Sequence, residues 1–244
     1  MKTVIFFLAF CVCAGAANAQ AGTSLEVEGT GNTNGYGFVR FTNASALGDK
    51  TPDKVKDDDI SGSPYFDEQW NKAIIVLQNN EAVKVAKLKI DFYRNEVHYI
   101  DSLGVELVAI SSVIKKVFVF DRKDSTKIKA IFQQITGVDG NTATAFVQVL
   151  NNGNTELLKY THVIVFDRGF DAIAGKDNYS FVTKVTYCLL NKGVVTLIKN
   201  LDKDNVLAVV PSLADTESWL KNNKNKLKNE TDIINYFNYY NTAN

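Results

Sequence analysis

From residue 73 to residue 198 the chain is built of short runs in which apolar and polar side chains alternate. The clearest run interleaves charged and large apolar residues: Lys87, Leu88, Lys89, Ile90, Asp91 and Phe92. Successive side chains of a β-strand point to opposite faces of the sheet, so this run predicts a strand with its charged face in water and its apolar face buried.

Similar runs follow one another and predict about ten strands. They cover residues 73–77, 87–92, 97–100, 105–110, 113–120, 128–135, 143–150, 157–166, 181–190 and 194–198. Asn79-Asn80, Asn152-Gly153 and Asn191-Lys192-Gly193 lie between runs, and Asn and Gly favour the positive φ of tight hairpin turns. We therefore predict a mainly β, antiparallel domain at residues 62–211, with residues 168–180 as its longest internal loop.

After the predicted strands the spacing of apolar residues changes to about 3.6, the period of an α-helix. Ser212 and Asp215 form a plausible capping pair for a helix over residues 213–222. A second helix over residues 232–240 carries four apolar side chains on one face: Ile233, Ile234, Phe237 and Tyr240. Helices this short are marginal alone in water, so we predict that residues 212–244 pack on the β domain.

The N-terminus has the pattern of a secretory signal peptide. One lysine precedes an apolar stretch, which ends at the small-residue cleavage pattern Ala17-Asn18-Ala19. We therefore expect residues 1–19 to be removed and the mature chain to begin at Gln20. A lipoprotein would need a small residue immediately before Cys11 or Cys13, and Phe and Val stand there instead.

Residues 20–61 are poor in large apolar side chains and rich in Gly, Asn, Thr and Asp. Such a segment buries too little apolar surface to offset its ordering entropy, so we predict a flexible N-terminal arm. Alternation at residues 36–41 predicts one short strand within it.

Charge and cysteine content narrow the class of protein. The chain carries 27 basic and 27 acidic residues, a balance that argues against a nucleic-acid partner. After removal of the leader only Cys188 is left, so no disulfide can form within the mature chain. The stability of the mature chain must therefore come from packing. We also expect the protein to be a monomer.

Catalytic and cofactor signatures are not evident in the sequence. We find no Gly-x-Ser-x-Gly elbow or phosphate-binding glycine loop, and we predict no cofactor. The acidic run Asp57-Asp58-Asp59 lacks the alternation of a calcium-binding loop, and we predict no metal site. His98 and His162 have no metal-ligand spacing and read as polar strand residues, His98 on the solvent side of its strand. Cys188 reads as a packed strand residue.

Two aromatic side chains are the candidate binding residues. Tyr65 and Trp70 precede the predicted sheet and could offer aromatic surface for recognition. The alternative is that both rings pack over the edge of the sheet.

The segment Gly62-Ser63-Pro64-Tyr65-Phe66-Asp67-Glu68-Gln69-Trp70 leads into two predicted strands. Together with Phe146-Val147-Gln148-Val149-Leu150, Tyr187-Cys188-Leu189 and residues 227–241, it resembles a family of uncharacterised exported proteins of Bacteroidota. The resemblance covers most of residues 62–241, although Cys188 stands where an aromatic residue is expected. It implies export, a β-rich body and a helical C-terminus, and it carries no activity or catalytic residues to this chain.

Two functional hypotheses follow. The first is a non-enzymatic binding or interaction protein of the periplasm or cell exterior, with a protein or envelope component as its partner and no membrane span. The alternative is a hydrolase acting on envelope or extracellular polymer. The hydrolase would need two carboxylates converging on a cleft, or a cluster of His98 and His162.

Overall fold

The computed structural model describes residues 39–41, 60–138, 143–173, 175–211 and 213–243. The predicted signal peptide, the cleavage site before Gln20 and the acidic run Asp57-Asp58-Asp59 lie outside the described residues. Of the predicted arm at residues 20–61, only residues 39–41 and 60–61 are described, and both segments are strands.

The described residues form twelve strands and three α-helices. The strands are β1 (Val39–Phe41), β2 (Ile60–Ser61), β3 (Asn71–Leu77), β4 (Ala82–Asp91), β5 (Glu96–Ile100), β6 (Glu106–Ala109), β7 (Ile114–Phe120), β8 (Ile128–Thr136), β9 (Thr144–Val149), β10 (Thr155–Asp171), β11 (Lys176–Asn191) and β12 (Val194–Ile198). The helices are α1 (Lys203–Ala208), α2 (Thr216–Asn222) and α3 (Glu230–Ala243). The prediction of a mainly β protein with C-terminal helices is confirmed.

All these strands belong to one sheet, in the order β1-β6-β5-β4-β3-β7-β8-β9-β10-β11-β12. Neighbours along this path are antiparallel, as predicted. Asn80 and Lys192, in two of the predicted turns, have positive φ, and so does Asn95 in the turn between β4 and β5. The exception to the antiparallel pattern is β2, which pairs in parallel with residues 179–180 of β11. Local alternation carries no information about this distant parallel partner.

The first half of the sheet curves around the main apolar core. Strands β4 and β9 are four positions apart, which is about 19 Å in a flat sheet. Yet the Asn95 side chain, in the turn after β4, donates to the carbonyl oxygen of Thr144 at 2.9 Å and accepts from the Phe146 amide at 2.8 Å. The curved face encloses buried side chains from β3 to β9, including Ile75, Ile114 and Phe132.

The three helices cover one face of β10, β11 and β12. Their shared core contains Leu157, Leu189, Ile198, Val206, Leu220, Leu227, Ile233, Tyr236, Phe237 and Tyr240. Both ends of α3 are bonded to the sheet. Glu230 accepts from Lys159 at 2.8 Å and from the Tyr187 hydroxyl at 2.6 Å, and Asn241 exchanges hydrogen bonds with the backbone of Thr155 at 2.8 and 2.9 Å.

The prediction of a long loop at residues 168–180 is wrong. Strands β10 and β11 are 17 and 16 residues long and form one hairpin, in which Asp171 ends the first strand and Lys176 begins the second. A bulge between Asp167 and Phe170 places Gly169 at φ 87°, after which Phe170 pairs with Asp177. In the sequence, Gly169 indicates a loop. In the structure it adopts the positive φ of the bulge, and the strand continues beyond it.

Candidate functional site

The predicted binding residues Tyr65 and Trp70 lie on either side of the Lys89 side chain. The Lys89 ammonium nitrogen is 4.6 Å from the centre of the Tyr65 ring and 4.8 Å from that of Trp70. These distances are within the range of a cation–π contact, which is favourable because the ring face is electron-rich. Each ring is half-buried and has one face directed at the protein's own cation.

Backbone pairing holds Tyr65 in this position. The Phe66 amide donates to the Ile90 carbonyl and the Phe92 amide to the Pro64 carbonyl, both at 2.9 Å. Residues 64–66 therefore lie along the end of β4 as a short extra strand, with Tyr65 bridged to Asp91. This arrangement agrees with the alternative in which the rings pack on the sheet, and a ligand-binding role for them is still a prediction.

Beneath Tyr65 lies His98, which the sequence placed on the solvent side. That expectation is wrong, because only 6% of His98 is exposed and the Tyr65 ring stands edge-on to it at 6.1 Å. The Nδ1 atom of His98 is 2.8 Å from Glu106, and its Nε2 atom is 3.4 Å from Glu96. His98 thus joins carboxylates from β5 and β6.

Asp91 was also expected in solvent and is fully buried. It ends β4, and its Oδ1 atom accepts from the backbone amides of Tyr93 at 2.7 Å and Arg94 at 2.8 Å. The Arg94 guanidinium lies 3.4 Å from its other oxygen. These contacts replace the water that the carboxylate loses on burial, and they fix the turn between β4 and β5.

The electrostatics of this polar cluster, Asp91, Glu96, His98 and Glu106, differ from those of free side chains. Burial alone would lower the pKa of His98, but hydrogen bonds to Glu96 and Glu106 and the charge of Asp91 outweigh it and raise the pKa. Burial raises the pKa of Asp91 against the opposing effect of Arg94. Chemically, the cluster favours the protonated form of His98, and both Glu96 and Glu106 already lie against that ring.

The second histidine has different neighbours. His162 is half-buried on β10, where its ring stacks on Tyr160 with a centroid distance of 6.0 Å. It is not part of the cluster around His98. Among the residues that the structure describes, no group of three or more His, Cys, Asp or Glu side chains is arranged to hold a metal ion.

Cys188 is fully buried in β11, as expected for a packed strand residue. Burial raises the pKa of its thiol to about 11, since the apolar surroundings disfavour the thiolate. The reactive form is therefore scarce at neutral pH.

Three exposed apolar side chains lie near the end of the β10–β11 hairpin, which we call the hairpin tip (residues 166–173 and 175–177). Phe166 is 52% exposed, Phe170 is 67% exposed and Ile173 is fully exposed. Sequence reasoning missed this feature because residues 168–180 were predicted as a loop. The available signal was three large apolar side chains in a charged, glycine-containing segment.

Local hydrogen bonds give the hairpin tip a defined shape. Asp167 accepts from the Gly169 amide at 2.7 Å, and Asp171 accepts from the Ile173 amide at 2.8 Å. Across the strands, the Arg168 Nε atom donates to the Ser180 hydroxyl at 2.7 Å. The exposed side chains are thus presented on a bonded hairpin.

Comparison of the chain with models of protein families, with curated proteins and with solved structures gave no match. In the described part of the chain, no helix has the length and apolar character needed to cross a membrane.

Proposed function

We propose that this chain is an exported, non-enzymatic interaction protein of the periplasm or cell exterior, and that it contacts its partner through the hairpin tip. The observation that carries this proposal is the exposure of Phe166, Phe170 and Ile173 at the end of one projecting hairpin. Large apolar side chains that are exposed to water are costly, and they often mark an interaction site. The apolar leader and the resemblance to exported proteins of Bacteroidota support the location.

The charges of the hairpin tip indicate the chemistry of the partner. Asp167, Asp171 and Asp177 outnumber Arg168 and Lys176. Partial desolvation, together with the charges of Asp167 and Asp177, raises the pKa of nearby Tyr179. A protein with an apolar pocket bordered by lysine or arginine complements this surface, whereas an anionic lipid surface does not.

The hydrolase alternative has less support. Its best carboxylates among the described residues are Glu96 and Glu106, and both are directed at His98. A general acid and a base or nucleophile must instead face the substrate across a gap of about 5–9.5 Å. The interaction hypothesis is therefore the one that we pursue.

A photo-crosslinking amino acid at position 170 of the full chain, expressed in its native cells, tests the proposal. We expect one dominant protein adduct. Ile173→Ser should abolish it, because the partner loses an apolar contact. Asp177→Lys should weaken it, because the partner loses an electrostatic contact. The matched control places the crosslinker at Leu103, which is 77% exposed in the turn between β5 and β6.

Equal adducts at positions 103 and 170 would contradict the proposal, and so would an adduct at position 170 that ignores both substitutions. The absence of any adduct at position 170 would also count against it, since the crosslinker would replace a side chain that is 67% exposed on the hairpin tip.

A further inference from the structure

A second surface lies on the helical side of the molecule, apart from the hairpin tip. A cavity of about 490 Å³ opens between α1, α2 and the segment that follows α2. We call it the lysine pocket, because its lining includes Lys203, Lys221, Lys224 and Lys226, with Glu217 as its acidic residue. Its volume is in the range of small-molecule sites.

The charges of the lysine pocket are only partly neutralised. Lys203 bonds to both carboxylate oxygens of Glu217, at 2.8 and 2.9 Å. Lys221, Lys224 and Lys226 have no ion-pair partner in the described part of the chain. Three positive charges therefore surround one cavity in a chain whose basic and acidic residues balance.

The segment that carries these lysines is held in place. At the end of α2, the Lys224 amide donates to the Lys221 carbonyl at 3.2 Å and the Asn225 amide to the Leu220 carbonyl at 2.9 Å, which is a Schellman motif. The Asn225 side chain donates to the Asp232 carbonyl at 2.7 Å, and Leu227 is fully buried. The backbone positions from which these exposed lysine side chains extend are therefore fixed before any ligand arrives.

Lys224 occupies a backbone conformation that disfavours it. Its φ of 52° is left-handed, and the helix-ending position it fills is usually glycine because a side chain there costs conformational strain. Strained residues occur disproportionately at binding sites, where a particular side chain is needed in spite of the cost. Here the strain places an ammonium group at the cavity.

We propose that the lysine pocket binds a soluble anion with two or more phosphate groups. Three unneutralised ammonium groups match a ligand whose negative charges are closely spaced. Lysine acts as a point charge without the fixed geometry of arginine, so affinity depends on the number of charges and weakens with added salt.

Calorimetric titration of the full chain with sodium tripolyphosphate tests this proposal. We expect saturable binding with a Kd of about 0.1 mM or tighter at low salt, and binding of orthophosphate at least about tenfold weaker. Lys224→Gly should weaken tripolyphosphate binding by about tenfold while raising the melting temperature, because it removes a charge and relieves backbone strain. Loss of affinity in a more stable protein cannot be attributed to misfolding.

Lys192→Gly is the matched control. Lys192 also has a left-handed backbone, with φ of 48°, but it lies in the turn between β11 and β12 and does not line the pocket. This variant should bind tripolyphosphate within about twofold of the unmodified protein. Absence of saturable binding, or equal affinity loss in Lys192→Gly and Lys224→Gly, would overturn the proposal.

Discussion

His98 shows how one buried polar residue can join separate strands. Its two ring nitrogens face Glu106 of β6 and Glu96 of β5, and its backbone pairs with Lys89 of β4. Buried ionisable groups stabilise a fold only when their partners compensate for lost hydration. The protonated ring meets this condition through the 2.8 Å hydrogen bond of Nδ1 with Glu106 and the charge of Glu96, 3.4 Å from Nε2.

The raised pKa of His98 predicts a pH dependence of stability. Because the folded state binds this proton more tightly than the unfolded chain, the stabilisation is complete below the ordinary pKa of 6.5 and is lost as pH rises through the higher folded value. Asp91, with its raised pKa, acts in the same direction at lower pH, above 3.8. The melting temperature should therefore fall as the pH rises above about 6.5.

His98→Gln should lower stability at about pH 6 by about 1.5–3 kcal/mol, since it removes a hydrogen bond between charged groups. It should also reduce the fall in melting temperature above about pH 6.5. His162→Gln serves as the control and should leave the pH dependence in place, because His162 is outside the polar cluster. If both variants keep the full dependence, His98 is not its source.

His98 and Asp91 also show where the alternation of apolar and polar residues fails as a guide to burial. It correctly places Leu88 and Ile90 in the core and Lys87 in solvent. It cannot reveal that residues 64–66 pair with the end of β4 and bring the Tyr65 ring against His98, because that contact depends on a segment outside the strand. The sequence could identify Tyr65 and Trp70 as candidate binding residues. It could not show that both rings contact Lys89.

Helix α3 is the element whose contacts most clearly complete the second core. The predicted apolar face is confirmed at Ile233, Phe237 and Tyr240, which are buried, while Ile234 is half-buried. The helix also fits closely against the turn before β10. A side chain at Gly153, φ 134°, would come within 2.3 Å of Asn241.

Phe237→Ala should destabilise the protein by about 3–5 kcal/mol, because it removes a fully buried ring and leaves a cavity. Chemical denaturation of the variant and of Asn238→Ala would measure the difference. Asn238 is exposed on the same helix, so its substitution should change stability by at most about 0.5 kcal/mol. Similar stabilities for the two variants would show that α3 does not complete the core.

At the scale of elements, periodicity predicted most strands and both longer helices. It missed α1, whose six residues are too few to display a period and whose start depends on Asp202 accepting from the Asn205 amide at 2.9 Å. It also ended β10 too early, because a glycine inside a bulge reads as a loop residue.

At the scale of the whole molecule, the two cores and the hairpin tip have separate roles. One core lies within the curved first half of the sheet, and the other joins the helices to β10, β11 and β12. The hairpin tip belongs to neither core, although Leu157 and Leu189, nearer the base of the same hairpin, belong to the core beneath the helices. An interaction surface arranged in this way can be altered without loss of the fold.

The melting temperature of the double variant Phe170→Ser and Ile173→Ser tests this separation most directly. Surface substitutions change stability by about 0.5 kcal/mol at most, which is about 1–2 °C for a chain of this size. We therefore predict a melting temperature within about 2 °C of the unmodified protein, against a fall of about 6–20 °C for Phe237→Ala. A fall of that size in the double variant would show that these side chains serve the core, and would contradict the assignment of the hairpin tip as a free interaction surface.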